Sequence, residues 1–485
     1  MARAGTAAAE IILRDCADRL HEGVVVLAGT GNNGGDAWVV AGVLSARDVR
    51  VQVLEVGEPR SIEARAARDH ARAALPAYDP AGAFAPGIFV DGILGIGAAG
   101  APRAEAARLV AMLAEARTRG ATIVALDVPS GLDASTGATT GAVVAADLTI
   151  TFGTVKRGLL LRRELAGRIA LVDLALDPGP LDALPIVMDA GAVRAAVPTI
   201  AADAHKGTRG RLLIVGGDVG MAGATILAAR GALRAGIGMV RIMVASESLS
   251  AVQSGEPAAM AATWASDGAA VTDAVAWADA VLLGPGLGRS ADAARLMDAI
   301  LASGMTPVVL DADALWPLSG RLDTLADIGR RRPIVLTPHA GEFARLTGTS
   351  VDEVSRTRFE APAVAAQRSG ATVLLKGVPT VISDGRATRI SASGTPVLAT
   401  GGSGDLLGGI IATLLAQGVP SLDAAAAGAW IHGRAAEIAG AGQVRGVTVH
   451  DVVAALPGAW KRTAARAAQD EGWSLPALPD AGRAA

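Results

Sequence analysis

Cysteine is almost missing from this chain. Cys16 is the single one in 485 residues, which excludes an intramolecular disulfide and a cysteine-built metal cage and agrees with a reducing cytoplasm. It lies in an Ala- and Leu-rich helical stretch and reads as packing. Aromatic residues make up only 3%, so Ala, Val, Leu and Ile must build the core. No charge of one sign dominates: the formal net charge is −3, which offers no basic field to nucleic acid. No uncharged run reaches about 18 residues and no basic-then-apolar leader opens the chain, so neither a membrane span nor an export signal is expected. The phosphate-binding pattern G-x-x-x-x-G-K-[ST] is missing as well.

What is present is a globular, enzyme-like composition, 51% hydrophobic and 19% charged, with 60 glycines. The length suggests two to four domains. After a helix over 7–20, short apolar runs at Val24–Ala28, 49–56, 87–91, 122–127, Leu148–Phe152 and Arg168–Val172 alternate with helical stretches. A second series, at Arg211–Val215, Met239–Val244, Ala280–Leu283, 307–310, 333–336, 371–375 and Thr380–Ser383, follows a passage holding Pro178, Pro180, Pro185 and Pro198. Short apolar strands alternating with helices predict parallel sheets covered on both faces. The expected division is a first domain over 1–178, a linker over 179–203, a second domain over 204–472 and a frayed tail over 473–485.

In such sheets ligands sit at the carboxyl ends of the strands, and the polar motifs of the first half fall there. Gly29-Thr30-Gly31-Asn32-Asn33-Gly34-Gly35-Asp36 contains G-x-G-x-x-G, and Glu55 ends the next strand where a dinucleotide fold puts its ribose acid. Asn32, Asn33 and Asp36 are excess polar groups for a pyrophosphate turn, and as hard oxygen donors they also suit a cation. A polar turn capping a helix is the plainer alternative. Two more strand ends carry acids, Asp91 before Gly92 to Gly97, and Asp127 before Val128-Pro129-Ser130. Three such loops on one rim favour a pocket. Lys156 and Arg157 follow the fifth strand and add positive charge there, or form an exposed basic turn.

GNNGGD (31–36), VDGILGIG (90–97) and LDVPSGLD (126–133), in this order, resemble the YjeF N-terminal family, epimerases that interconvert the R and S forms of hydrated NADH and NADPH. The resemblance implies a Rossmann-like three-layer sandwich. It implies substrate contacts at Asn32, Asn33, Gly34, Gly35, Asp36, Gly95, Ile96, Gly97 and Asp127, and a potassium ion held by Asn33, Asp91 and Ser130. Two departures are visible. The chain starts at the M-x-x-A-G stretch, where the family carries a further helix, and Ala37 replaces the usual Gly after GGD.

The second half centres on Thr400-Gly401-Gly402-Ser403-Gly404-Asp405-Leu406-Leu407-Gly408-Gly409. A glycine-rich loop entering an apolar helix points free N–H groups and the positive helix end at one spot, which suits phosphate. A carboxylate there repels an anion unless it has work to do, and Asp405 fits as the base that takes a proton from a hydroxyl attacking phosphorus. A capped helix start is the simpler alternative. Other strand ends carry Gly216 to Ala224, Gly284-Pro285-Gly286-Leu287-Gly288, Asp311 with Asp313, His339, and Lys376 beside Gly377. Taken alone they point to a small-hydroxyl kinase, with the two acids organising a phosphate-bound metal or capping the next helix.

The series KGTRGRLLIVGG, GMAGA, GPGLG, LDADAL, LTPHAGE, LLKGVPT and ATGGSGD, spread over 206–405, is similar to the ADP-dependent NAD(P)H-hydrate dehydratases. That family implies a ribokinase-like α/β domain. Its members phosphorylate the hydrate hydroxyl and then eliminate phosphate, so ADP yields AMP and phosphate as NAD(P)H is restored. By match, Asp405 acts on the hydroxyl. Lys376, Gly377, Val378, Pro379, Thr380 and Gly404 bind ADP, and Ala224, Gly286, Gly288 and His339 join Asp405 around the hydrate. Mg2+ and K+ are the implied ions, NADHX and NADPHX the substrates, and a cytoplasmic homo-oligomer the implied assembly. Ser391-Ala392-Ser393-Gly394-Thr395-Pro396-Val397 departs from the family's N-x-T-G-N-P-G. Two other readings remain: a ribokinase-like small-molecule kinase with a nucleotide-binding appendage, and a non-catalytic nucleotide sensor or scaffold.

Overall fold

The computed structural model describes residues 1–75, 86–97, 100–177, 179, 184–264, 268–464 and 473–479. Residues 178 and 180–183 around the expected linker, and 465–472 and 480–485 near the carboxyl terminus, lie outside the described residues. Two compact units emerge, one of 1–178 with 467–480, the other of 179–466 with 481–485.

The first unit is built on β1 (Val24–Ala28), β2 (Val51–Glu55), β3 (Ile88–Gly92), β4 (Thr122–Leu126), β5 (Leu148–Phe152) and β6 (Arg168–Val172), all parallel. Along β1, Val24, Val26 and Ala28 pack on one face with the helices Ala2–Asp15 and Asn32–Ser45. Val25 and Leu27 pack on the other with the helix Glu105–Thr118. Successive side chains of a strand point to opposite faces, so an unbroken apolar strand needs helices on both sides. That is the expected three-layer sandwich. The chain leaves β1 towards β2 on one side and β3 on the other, so the topological switch point, where open α/β sheets take ligands, lies between β1 and β3.

The second unit holds β7 (Ile186–Val187), β8 (Arg211–Val215), β9 (Met239–Val244), β10 (Met260–Thr263), β11 (Ala280–Leu283), β12 (Val308–Leu310), β13 (Ile334–Leu336), β14 (Thr372–Leu375), β15 (Thr380–Ser383) and β16 (Thr388–Ser391). Their order is β10-β9-β8-β11-β12-β13-β14-β15-β16-β7. The run from β10 to β14 is parallel, and β14, β15 and β16 pair antiparallel. Leu212 and Ile214 face the helices Ala222–Ala235, Ser403–Ala416 and Ser421–Gly440, while Leu213 and Val215 face the opposite layer. The helices Ala222–Ala235 and Ser403–Ala416 meet backbone to backbone: a Cβ on Gly409 would overlap the Ala228 carbonyl, and one on Gly231 the Leu406 carbonyl. Scarce aromatics are thus offset by small residues that let helices approach closely.

Structure also appears where none was expected. Within 179–203, β7 extends the second sheet beside β16, and the helix Ala190–Ala196 packs its Val193 into the core. Within 473–485, β17 (Ser474–Leu475) pairs antiparallel with β6. Neither two-residue strand shows a periodicity long enough to read. β10 is Met-Ala-Ala-Thr, which lacks the β-branched run that marked its neighbours. Among the described residues, no helix is long and apolar enough to cross a membrane.

Candidate functional sites at two sheet rims

In the first unit, the loops after β1, β3, β4 and β5 surround a pocket of about 520 Å3. Register puts them together: Leu27 of β1 lies beside Asp91 of β3, and Asp91 beside Ala125 of β4. Asn32, Asn33, Asp36, Gly95, Ile96, Gly97 and Asp127 line the pocket, with Arg60 and Lys156. Gly34 and Gly35 are buried instead in the first turn of the helix Asn32–Ser45. A Cβ on Gly34 would overlap the Gly29 carbonyl, so that glycine serves the close approach of the turn to the helix. Glu55 pairs with Arg72 at 2.7 Å and does not line the pocket, so it is not placed as a ribose acid.

The polar groups behind this pocket are highly committed. Ser130 donates its Oγ to Asp91 Oδ1 at 2.6 Å and its N–H to Asp91 Oδ2 at 2.8 Å, and Ser130 Oγ accepts the Leu94 N–H at 2.9 Å. Burial raises the Asp91 pKa, and these bonds oppose the shift. Asn33 Nδ2 donates to the Leu94 and Leu126 carbonyls at 2.9 and 3.0 Å, while its Oδ1 is buried with no hydrogen-bond partner. An orphaned amide oxygen close to a buried carboxylate and a hydroxyl fits a potassium ion, which takes oxygen donors and little net charge. Lys156 Nζ meets Asp127 Oδ1 at 2.5 Å, both nearly buried. Asp36 stands apart. Burial first, then the Asp127 charge, push its carboxyl up to about 7, against the pull of the Met1 ammonium 4.0 Å away.

In the second unit a cleft of about 480 Å3 opens at the strand ends from β12 to β15. Lys376, Gly377, Val378, Pro379, Thr380, His339, Gly404 and Asp405 all line it, facing the helix start at Ser403. Gly402 supplies the left-handed turn there, with φ 85°. Lys376 Nζ lies 2.7 Å from Asp311 Oδ1. Burial is the largest single influence and would lower the lysine pKa, but the Asp311, Glu342 and Asp405 carboxylates together outweigh it and the pKa stands raised. A Cβ on Gly404 would come within 3.0 Å of Lys376 Nζ, so the absence of a side chain leaves this ammonium reachable from the helix start. Asp405 sits in the first helical turn. Burial first, then Asp311, push its carboxyl up to about 7, against Lys376. An acid titrating near neutrality beside a cation and free helix N–H groups has the make-up of a proton acceptor at a phosphate site.

Ala224, Gly286 and Gly288 do not line this cleft. They cluster at the β8 and β11 ends, where the chain order of the second sheet reverses: Asp218 N–H donates to the Gly286 carbonyl at 2.7 Å, and a Cβ on Gly286 would come within 3.2 Å of the Ala224 Cβ. Asp313, two residues after Asp311 of the cleft, links them to it by accepting the Gly288 N–H at 3.0 Å. His339 caps the helix Ala340–Thr347, its Nδ1 accepting from Gly341 and Glu342 N–H groups. Its Nε2 lies 3.4 Å from Glu342 Oε1. Asp313 uses both oxygens, on the Gly288 N–H and on Arg289, while Asp311 uses Oδ1 alone, on Lys376 and the Ala312 N–H, so a single carboxylate oxygen of this pair is uncommitted. This donor set fits a magnesium ion carried by nucleotide phosphates better than one seated in protein carboxylates.

The family description NAD(P)H-hydrate dehydratase matches residues 212–458, and the description YjeF-related protein N-terminus matches residues 1–158. A bifunctional NAD(P)H-hydrate repair enzyme Nnr from Escherichia coli is 37% identical over 471 residues, covering 94% of this chain and 88% of the relative. The chain belongs to the bifunctional NAD(P)H-hydrate repair enzyme family. A member from Salinibacter ruber is 38% identical, covering 88% of this chain and 86% of the relative. Among solved structures, an ADP/ATP-dependent NAD(P)H-hydrate dehydratase from Bacillus subtilis, co-crystallised with ATP and Mg2+, is 31% identical with a TM-score of 0.52, covering 58% of this chain and 99% of that one. A ribokinase-like superfamily protein from Enterococcus faecalis is 25% identical with a TM-score of 0.51, covering 57% and 96%. The second unit thus has the ribokinase-like fold.

Sequence reasoning missed three contributors. Arg60 of the first pocket lies in a loop with no motif. Asp311 was read as a metal organiser or helix cap; it does cap the following helix by accepting the Ala312 N–H, and it is in addition the counter-ion of Lys376. His432, in an Ala-rich helix, reaches the cleft floor with its Nε2 3.3 Å from Ser403 Oγ. Burial and the Lys376 charge bring its pKa down to about 4, so it is neutral at pH 7. Being one of six histidines was its only signal.

Proposed function

We propose that this chain repairs hydrated NADH and NADPH in two steps, epimerising the R and S hydrates in the first unit and dehydrating the S form with ADP in the second. The carrying observation is Asp405, an acid near 7 at a helix start beside the Lys376–Asp311 pair. Asp405 takes the hydrate hydroxyl proton, and the oxygen attacks the terminal phosphorus of ADP so that AMP leaves. The phosphate ester then departs as inorganic phosphate while the neighbouring ring carbon gives up a proton, restoring the double bond. Phosphate leaves far more easily than hydroxide. Lys376, Gly377 to Thr380 and Gly404 hold the nucleotide, and His339, Ala224, Gly286 and Gly288 orient the hydrate. A magnesium ion on the nucleotide phosphates neutralises charge that would otherwise resist attack.

In the first unit, inversion needs a group that gives and takes a proton near neutral pH, and Asp36 fits, with Asp127 and Lys156 beside it on the pocket wall. Asn33, Asp91 and Ser130 would hold potassium. The same reading makes the protein a cytoplasmic homo-oligomer acting on small molecules.

The test is to give the protein mixed R and S hydrates with ADP and to follow both epimers, free phosphate and NAD(P)H by chromatography. Both epimers should disappear with release of AMP and phosphate. In the Asn33→Ala variant, R consumption should slow to the spontaneous rate while S consumption continues. A phosphorylated product without free phosphate would instead favour the small-molecule kinase.

A further inference from the structure

One charged cluster beside the second cleft is not used by this chemistry. Trp316, in the 3-10 helix Ala312–Leu318 that Asp311 caps and Asp313 belongs to, is 43% exposed in a chain with few aromatics. The Arg289 guanidinium lies 4.0 Å from its ring centroid and that of Arg345 5.2 Å. All three side chains are exposed. Arg289 directly follows Gly288, and its Nε is 3.2 Å from Asp313 Oδ1. Arg345 lies in the last turn of the helix that His339 caps, and among the described residues its side chain has no carboxylate within ion-pair distance. Two guanidiniums are thus gathered on one indole with a single carboxylate between them. Cation–π contacts hold the planar forks in place without occupying N–H donors, so apart from the Arg289 Nε bonded to Asp313 the forks are left to offer N–H groups to a phosphate.

Position supplies the ligand. ADP is assigned to the Lys376 side of the cleft and the hydrated ring to Gly286, Gly288 and His339. The rest of the dinucleotide must leave from there; Arg289 directly follows Gly288, and Arg345, at the far end of the helix that His339 caps, meets it over the same indole. We propose that Arg289, Trp316 and Arg345 form the subsite for a phosphate of the dinucleotide hydrate, either its pyrophosphate or the 2′-phosphate of the NADPH form. This rests on the dehydratase reading above.

The experiment has two arms. In turnover, Arg345→Gln should lower kcat/KM for the S hydrates about tenfold, the loss of one charge-assisted contact, while KM for ADP is unchanged. Arg345→Lys, which keeps charge and loses the fork, should recover part of it. A loss confined to NADPHX identifies the 2′-phosphate, and an equal loss on both hydrates identifies the pyrophosphate. Wild-type kcat/KM on both hydrates in Arg345→Gln and Trp316→Leu overturns the subsite. In calorimetry, NADP+ and NAD+ are titrated into wild type and Arg345→Gln, which needs no turnover. Weaker binding by the variant supports the subsite and equal affinity overturns it. Failure of wild type to dehydrate either hydrate would instead sink the dehydratase reading.

Discussion

The two rims share an architecture and differ in what they offer a ligand. Both lie at the carboxyl ends of parallel strands, both place a helix start at a glycine-rich turn, and both keep one acid near pH 7, Asp36 and Asp405. At the second rim the donors that face the cleft are the Lys376 ammonium and the first N–H groups of the helix Ser403–Ala416, beside the Asp311 and Asp405 carboxylates. At the first, the donors of Asn33 and Ser130 point inward to carbonyls and to Asp91, leaving the Asn33 amide oxygen without a partner. One rim therefore suits phosphate and the other a cation with a neutral ring. The fold supplies the place and the direction of a few hydrogen bonds selects the chemistry.

The largest break in this comparison should come from Asp405→Asn. Removing a general base costs about 10²- to 10⁴-fold, read as recovery of NADH absorbance from the S hydrate with ADP, while calorimetry should still find ADP bound. The raised pKa gives a second signature. A base must be deprotonated, so the wild-type rate should climb with pH through about 7, and the variant's residual rate should not. Retention of the wild-type rate and pH profile in Asp405→Asn would move the base elsewhere. Epimerisation of the R form should be untouched, since Asp405 belongs to the second unit alone.

Next in size is Lys376→Met. Asp311 is buried at 2% side-chain exposure and Lys376 is its ion partner. Stripping a buried carboxylate of its partner costs about 3 kcal/mol or more, measured as a lower denaturation midpoint of the second unit, together with weaker ADP binding. Adding Asp311→Asn should return part of the stability, because no unpaired charge is then left inside. If Lys376→Met unfolds at the wild-type midpoint, Asp311 is solvated by another route and the contrast between committed and free groups weakens. No comparable loss is expected at the first unit's unfolding transition.

Most of this organisation was legible before the structure because unbroken apolar strands and glycine-rich strand ends are strong local signals. Leu148–Phe152, Arg168–Val172, Arg211–Val215 and Met239–Val244 were read with their observed limits. The missed strands β7, β10, β16 and β17 are edge or short pieces whose pairing is set by tertiary neighbours. The pockets' linings were partly legible for the same reason: residues such as Lys376 and Asp405 stand at element ends. What sequence could not give is partner choice. Nothing in Leu310-Asp311-Ala312-Asp313 says that Asp311 turns to a lysine 65 positions away and Asp313 to Gly288. Nor does Ala-rich sequence around His432 announce a ring reaching Ser403. Gly34 and Gly35 have a duty the motif does not announce: a Cβ on Gly34 would overlap the Gly29 carbonyl and one on Gly35 the Met1 side chain, so their bareness serves packing.

The smallest effect tests the isolation of Asp36. Burial raises its pKa from the model-peptide range to about 7, so the folded state holds this proton more tightly than the unfolded chain does. The stabilisation is present in full below the unfolded value near 4 and is lost as pH rises through about 7. At pH 8 the charged carboxylate therefore costs stability, and Asp36→Asn removes that cost. The variant should melt a few °C above wild type at pH 8, about the shift that 1 kcal/mol gives in a domain of this size, and the gap should close towards pH 4. R-epimer consumption should fall in the same variant. A variant that melts below wild type at pH 8 would mean that the Met1 ammonium, 4.0 Å away, pairs with Asp36 strongly enough to outweigh burial, and the first rim would then hold no free acid at all.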